Sequence, residues 1–163
     1  MIKNAERKFS SAGLSLVEVI VGAAITTLIL SGLIATYNLY FRTALTNLRH
    51  VQAAFLAEES AEALRFLRDG GWSNLSSLTV GTNYYLTFYN GNWQATTSNL
   101  FVEGIFERKF VLNNVYRDAS DDIAPTGTLD PNTRKVTVSI TWSAGVATTT
   151  KSLNFYLTNL FND

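Results

Sequence analysis

From Leu14 to Phe41 apolar residues run almost without interruption, and the 23 residues from Val19 to Phe41 carry no charge. At about 1.5 Å per residue that uncharged stretch reaches roughly 35 Å as a helix, enough to cross the hydrocarbon of a bilayer. Beyond Phe41 the period stays helical but becomes amphipathic. Leu45, Leu48, Val51, Phe55, Leu56, Ala63, Leu64 and Leu67 keep three- and four-residue spacings, with Arg42, Arg49, Glu58, Glu59, Glu62, Arg65 and Arg68 largely between them. Neither Pro nor Gly interrupts residues 33–69. Gly70-Gly71 then supplies a stop, with Arg68 placed against the helix dipole. The pattern predicts one helix from Leu14 to Asp69, about 84 Å long, more than a domain of this size can cover, so it is expected to project. Residues 14–41 form its membrane-spanning half and residues 42–69 its amphipathic half, and residues 70–163 form a globular head.

After Gly71 the period changes to two. Tyr84-Tyr85-Leu86-Thr87-Phe88-Tyr89 and Trp93-Gln94 flank Asn90-Gly91-Asn92, a hairpin signal. A long strand is predicted over Gly104 to Tyr116 and another over Lys135 to Trp142, where Val136, Val138, Ile140 and Trp142 alternate with Thr137, Ser139 and Thr141. Ala144-Gly145 turns the chain into a last strand around Thr149 to Leu160. Four or so antiparallel strands need a cover for their apolar face, and the amphipathic half-helix is the available one. The expected class is α+β.

Composition narrows the chemistry. Of 163 residues 47% are hydrophobic and 16% charged, and the formal net charge is zero, which argues against a polyanion binder working by bulk charge. The head, residues 70–163, carries a net −1, so no nucleic-acid partner is expected. With no cysteine, disulfides, Cys-ligated zinc and thiol catalysis are excluded, and the single histidine, His50, reads as a surface residue on the helix. No nucleophile sits beside a base and no glycine loop cradles phosphate, so neither an enzyme nor a cofactor is expected.

Two groups in the head are candidates for binding. Arg117 to Arg134 is the longest predicted irregular stretch, and its Asp118, Asp121, Asp122 and Asp130 are hard oxygen ligands of the kind calcium takes. Their spacing does not match an EF-hand, and the favoured reading is a solvated loop in which Asp side chains cap turns. Trp72, Trp93 and Trp142, with Tyr84, Tyr85 and Tyr89, offer either an adhesive, glycan-stacking face or, as favoured here, sheet core and cross-strand pairs.

Residues 1–13 carry three basic side chains and one acidic, and the positive-inside rule keeps that end cytoplasmic and exports the head. A secretory signal peptide has a similar basic start, but its small-residue cleavage site follows the apolar stretch, whereas here Ala12-Gly13 precedes it. That inverted order, in the string Gly13-Leu14-Ser15-Leu16-Val17-Glu18-Val19-Ile20, resembles the type IV pilin and pseudopilin family. Leu56-Ala57-Glu58-Glu59 with Leu64-Arg65-Phe66-Leu67-Arg68-Asp69 and Trp72 also resembles a V-class minor pilin, a pilus modification protein.

The resemblance implies a pilin fold and a class III leader, residues 1–13. It also implies cleavage by prepilin peptidase between Gly13 and Leu14, and N-methylation of Leu14. Glu18, the fifth residue of the cut product, is then the carboxylate that pairs with a neighbour's N-terminal ammonium during filament assembly. Implied partners are the peptidase, other pilin subunits through the N-terminal helix, the assembly platform of the inner membrane and, before assembly, the lipid bilayer. Two residues depart from the pattern of major pilins: Leu14 stands where Phe is common, and Ala35 where the helix usually has proline. Gly22 and Gly32 are the helix-weakening residues of the span and read as close-packing positions. The expected role is a filament subunit, most like a minor pilin. The alternatives are a pseudopilin of a type II secretion or competence machine and a tip adhesin with an aromatic binding face.

Overall fold

The computed structural model describes residues 15–144 and 147–161. The chain divides into two compact units, residues 1–45 and 46–163. Helix α1, Leu16–Asp69, is the long helix that the periodicity requires and runs through both.

In the first unit the side chains of the described residues are exposed, Leu16, Ile20, Leu28, Leu33 and Leu39 among them. This part of α1 is the one helix among the described residues long and apolar enough to cross a membrane. Its polar residues fit that role. Thr26, Thr27, Ser31, Thr36 and Asn38 each donate a side-chain hydrogen bond to the carbonyl four residues back, at 2.8–2.9 Å. Such back-bonding leaves those donors satisfied without water.

The second unit is a sheet with a helix on one face, an α+β arrangement. After α1 ends, Gly70 N–H bonds the Phe66 carbonyl and the Asn74 amide bonds that of Leu67, covering carbonyls of its last turn. A single turn of helix, α2 (Ser73–Ser76), follows where the sequence pattern predicted the onset of strands. Strands β1 (Asn83–Tyr89), β2 (Asn92–Thr96), β3 (Glu107–Arg117), β4 (Ile123–Ala124), β5 (Thr128–Ala144) and β6 (Ala147–Thr158) form one antiparallel sheet in the order β2-β1-β3-β5-β6, with β4 paired to the end of β3. The hairpin turn is two residues, Asn90 and Gly91, both at positive φ as a type I′ turn requires, and Asn92 already belongs to β2.

Three expectations are corrected. The strand predicted from Gly104 starts at Glu107, because Val102 bridges Phe106 around a tight turn with Glu103 and Gly104 at positive φ. The stretch 117–134 is not one loop: β4 and the start of β5 lie within it. Pro131 is accommodated where the β3–β5 register slips, so that Asn114 faces Arg134 and Val115 faces Asp130. Gly127 precedes β5 at φ 146°, and a Cβ there would lie 2.1 Å from the Arg117 carbonyl oxygen, so only glycine permits this approach.

The third correction concerns the helix face. The core is filled by the sheet's bulky residues, Phe106, Phe110, Leu112, Val136, Val138, Ile140 and Trp142, and α1 meets them with small ones, Ala53, Ala57, Ser60, Ala61 and Ala63, plus Leu64 and Leu67. Leu48, Val51 and Phe55, assigned to the covered face by their spacing, are exposed, Phe55 at 65%. A sheet face this bulky admits a helix only where the helix is thin.

One charge sits in that core. Arg108 shares a face of β3 with Phe110 and Leu112, next to Phe106 just before the strand, and is 7% exposed. Its guanidinium donates to Glu59 Oε2 of α1 at 2.9 Å and to the Leu86 carbonyl of β1 at 3.3 Å, and it lies 5.2 Å above the Trp93 ring of β2. Burial lowers its pKa, and the Glu59 carboxylate opposes that shift. One side chain thus links the helix to three strands. Glu59→Ala is expected to cost about 2 kcal/mol by leaving a buried cation short of its counter-charge, and Glu59→Ala with Arg108→Met to recover at least half of that. Urea denaturation of the full chain in detergent, followed by tryptophan fluorescence, measures both.

Candidate functional site

Gly13 and Leu14, expected from the resemblance to flank a cleavage site, lie outside the described residues. Glu18 is in the first turn of α1, where a negative charge is favoured by the free N–H groups, and the helix begins with Val19 N–H bonded to the Ser15 carbonyl at 3.2 Å. Its side chain is exposed, and among the described residues none pairs with it. It is the last charge before the uncharged stretch that ends at Arg42. A carboxylate in that position, on a helix bare of internal partners, can take a cation from outside the chain.

The four aspartates do not converge. Among the described residues no group of three or more His, Cys, Asp or Glu side chains is placed to hold a metal ion. Asp118 Oδ1 accepts the N–H groups of Ser120 and Asp122 at 2.8 and 3.1 Å, closing a turn in which Asp121 is left-handed. Asp130 lies in β5 rather than in a loop, and Arg117 Nε donates to its Oδ2 at 2.8 Å. The same arginine donates to the Asp121 carbonyl at 2.8 Å. These side chains cap turns and hold the β3–β5 end together.

Burial of Asp130 raises its pKa, but the hydrogen bonds from Arg117, Thr133 and the Asn132 N–H outweigh this, and the net shift is below the ordinary 3.8. A carboxylate whose folded pKa is depressed contributes its stability in full above the unfolded value and loses it as pH falls through the folded value.

The aromatic residues do not form one outer face. Trp142 is 2% exposed and packs against Phe106 at 5.8 Å between ring centroids, and Trp72 and Tyr84 are also buried. Tyr84 Oη accepts the Thr79 N–H at 3.0 Å. Trp93 is half-buried beneath Arg108, and Tyr85 donates to Glu107 Oε1 at 3.1 Å. Only Tyr89 of the six is exposed, beside Phe88 on the same hairpin. His50, expected at the surface, is exposed and packs edge-on against Trp142 with ring centroids 5.1 Å apart, next to Arg49, which donates to the Ser143 carbonyl at 3.0 Å.

Two features escaped the sequence reading. Arg108 had a signal, because its parity with Phe106, Phe110 and Leu112 puts a charge on an apolar face. An uncharged groove along β2 had none, since it joins residues 66–78 to residues 92–95 across the fold. The chain matches no family model, no curated protein and no solved structure.

Asp130→Asn is expected to lower the urea midpoint at about pH 7, where the contribution of the depressed carboxylate is complete, and to lower it by less at about pH 2, below the ordinary carboxylate value of 3.8. Denaturation curves of both proteins at the two pH values check this.

Proposed function

We propose that the chain is a structural subunit, of the minor-pilin kind, of a type IV pilus-like filament. In this reading residues 1–13 are a cytoplasmic leader that prepilin peptidase removes after Gly13, and Leu14 becomes the N-methylated first residue. The mature helix anchors the subunit in the inner membrane with the head outside. The assembly platform then transfers it to a fibre at the cell surface, where the same helix packs against those of other subunits.

The observation that carries the proposal is the unbroken order of parts: a basic leader, Gly13, then Glu18 in the first turn of an apolar helix that runs on without a break into the head. A plain membrane anchor needs the apolar length and nothing more. It does not need a glycine on the cytoplasmic side of the span or a carboxylate at its entrance. At depth in hydrocarbon an unpaired carboxylate costs about 2.5–3.5 kcal/mol, so Glu18 is costly unless a cation meets it. In the proposed fibre that cation is the N-terminal ammonium of the neighbouring subunit, and the pair sets the axial register. The α+β layout, with a long apolar helix at the N-terminal end and an antiparallel sheet, agrees with a pilin fold.

In cells that carry the peptidase and the assembly machinery, Glu18→Ala is expected to be processed at the wild-type rate and yet to be missing from sheared fibres. Immunoblots of membrane and fibre fractions read both. Incorporation of the variant at the wild-type level would contradict the role given to Glu18.

A further inference from the structure

One edge of the sheet is β2 and the other is β6, and the turn before β2 determines which of its backbone groups are free. In a two-residue hairpin the pair flanking the turn, here Tyr89 and Asn92, exchanges both backbone hydrogen bonds, and the pattern alternates from there. Gln94 bonds Thr87 and Thr96 bonds Tyr85, so the N–H and C=O of Trp93 and Ala95 point away from β1. Nothing stands next to β2 on that side in the strand order, and among the described residues no backbone bond from outside the ladder reaches Trp93 or Ala95.

Those free groups border a groove. A cavity of about 810 Å³ runs along residues 92–95, with its opposite wall made by Phe66, Leu67, Asn74 and Leu78 at the end of α1 and around α2. None of the eleven residues lining it is charged. Trp93 and Ala95 present half-buried side chains on the helix side of the strand, and Phe66 is half exposed on the other wall. We infer that this groove is a strand-addition site, in which β2 takes an extended, uncharged peptide segment of a partner protein with apolar side chains at every second position.

The chemistry of each wall selects that occupant. Donors and acceptors repeated two residues apart match an extended backbone and no other polymer as well, because the incoming strand presents the complementary groups at the same repeat. Alternate side chains of such a strand would enter the apolar part of the groove while the others face solvent. A charged side chain entering it would lose hydration and meet no charged residue in the lining, so the segment is uncharged. An open edge strand also carries a hazard of unselected pairing, and β2 limits that by being only five residues long.

The test uses the full chain in detergent micelles and a blocked heptapeptide with the sequence of residues 152–158, Ser-Leu-Asn-Phe-Tyr-Leu-Thr, which is uncharged and alternates. Amide hydrogen exchange is read residue by residue by NMR. Saturating peptide is expected to slow exchange at the Trp93 and Ala95 N–H about tenfold or more, while the inward N–H groups of Asn92, Gln94 and Thr96 change little. Ala95→Pro removes an outward donor without touching the β1–β2 ladder, and is expected to weaken the peptide roughly three- to tenfold, the worth of one hydrogen bond. Retained protection at Gln94 verifies that the hairpin is intact in that variant. Unaltered exchange at Trp93 and Ala95 up to the solubility limit of the peptide would overturn the inference. So would protection that rises with protein concentration in the absence of peptide, which assigns the edge to a second copy, or protection produced by maltohexaose and not by peptide, which assigns the groove to a glycan.

Discussion

Among the described residues nothing covers the apolar half of α1, and water is a poor partner for it. From Ser15 to Leu48 the side chains of the helix are exposed, and they include more than a dozen large aliphatic or aromatic residues. Leaving such a side chain in water rather than burying it costs about 1.5–3 kcal/mol, so the total far exceeds the stability of a small domain. Whatever covers this surface has to come from outside. The side chains of Thr26, Thr27, Ser31, Thr36, Asn38 and Thr43 are bonded to their own helix, which makes lipid and a neighbouring helix equally acceptable covers there. A helix of this kind can leave the one environment for the other without any of those groups losing a partner. In the filament subunit proposed above that transfer would be the central event, and Glu18 would distinguish the two environments by meeting a cation in only one of them.

The head is organised so that it does not depend on that surface. Its core lies between the bulky face of the sheet and the small residues of α1 from Ala53 onward. Arg108 then ties Glu59 on the helix to Leu86 and Trp93 on two strands. A buried guanidinium is a costly way to join elements, and apolar packing would be at least as stable. What it adds is direction: the helix must present Glu59 opposite Arg108, which fixes its rotation over the sheet. Asp130 and Arg117 do the same at the far end of β3 and β5, where the register slips.

Much of this was legible in the residues. The helix end at Gly70-Gly71, the hairpin at Asn90-Gly91 and the alternation from Val136 to Trp142 come from local rules of period and backbone freedom, and each appears within a few residues of its expected place. The misses come from tertiary terms. Spacing alone put Leu48, Val51 and Phe55 on the covered face, but which face of a helix is covered depends on how much volume the sheet has already filled. The stretch 117–134 was expected to be irregular, whereas a register slip absorbs Pro131 and Gly127 permits a close approach that any Cβ would block. The aspartates looked like a cluster because they are close in sequence, but Asp118 caps a turn while Asp121 and Asp130 pair with Arg117. The candidate site was readable only as a motif, because among the described residues nothing pairs with Glu18.

The central claim is that the N-terminal segment is a leader and not part of the working molecule. Intact-mass spectrometry of the protein purified from membranes of cells carrying prepilin peptidase tests it most directly. The account predicts a chain beginning at Leu14, lighter than the precursor by residues 1–13 and heavier by one methyl group on the new terminus. A protein that keeps Met1 through Gly13 in those cells would contradict it and leave a membrane-anchored domain whose helix stays in the bilayer.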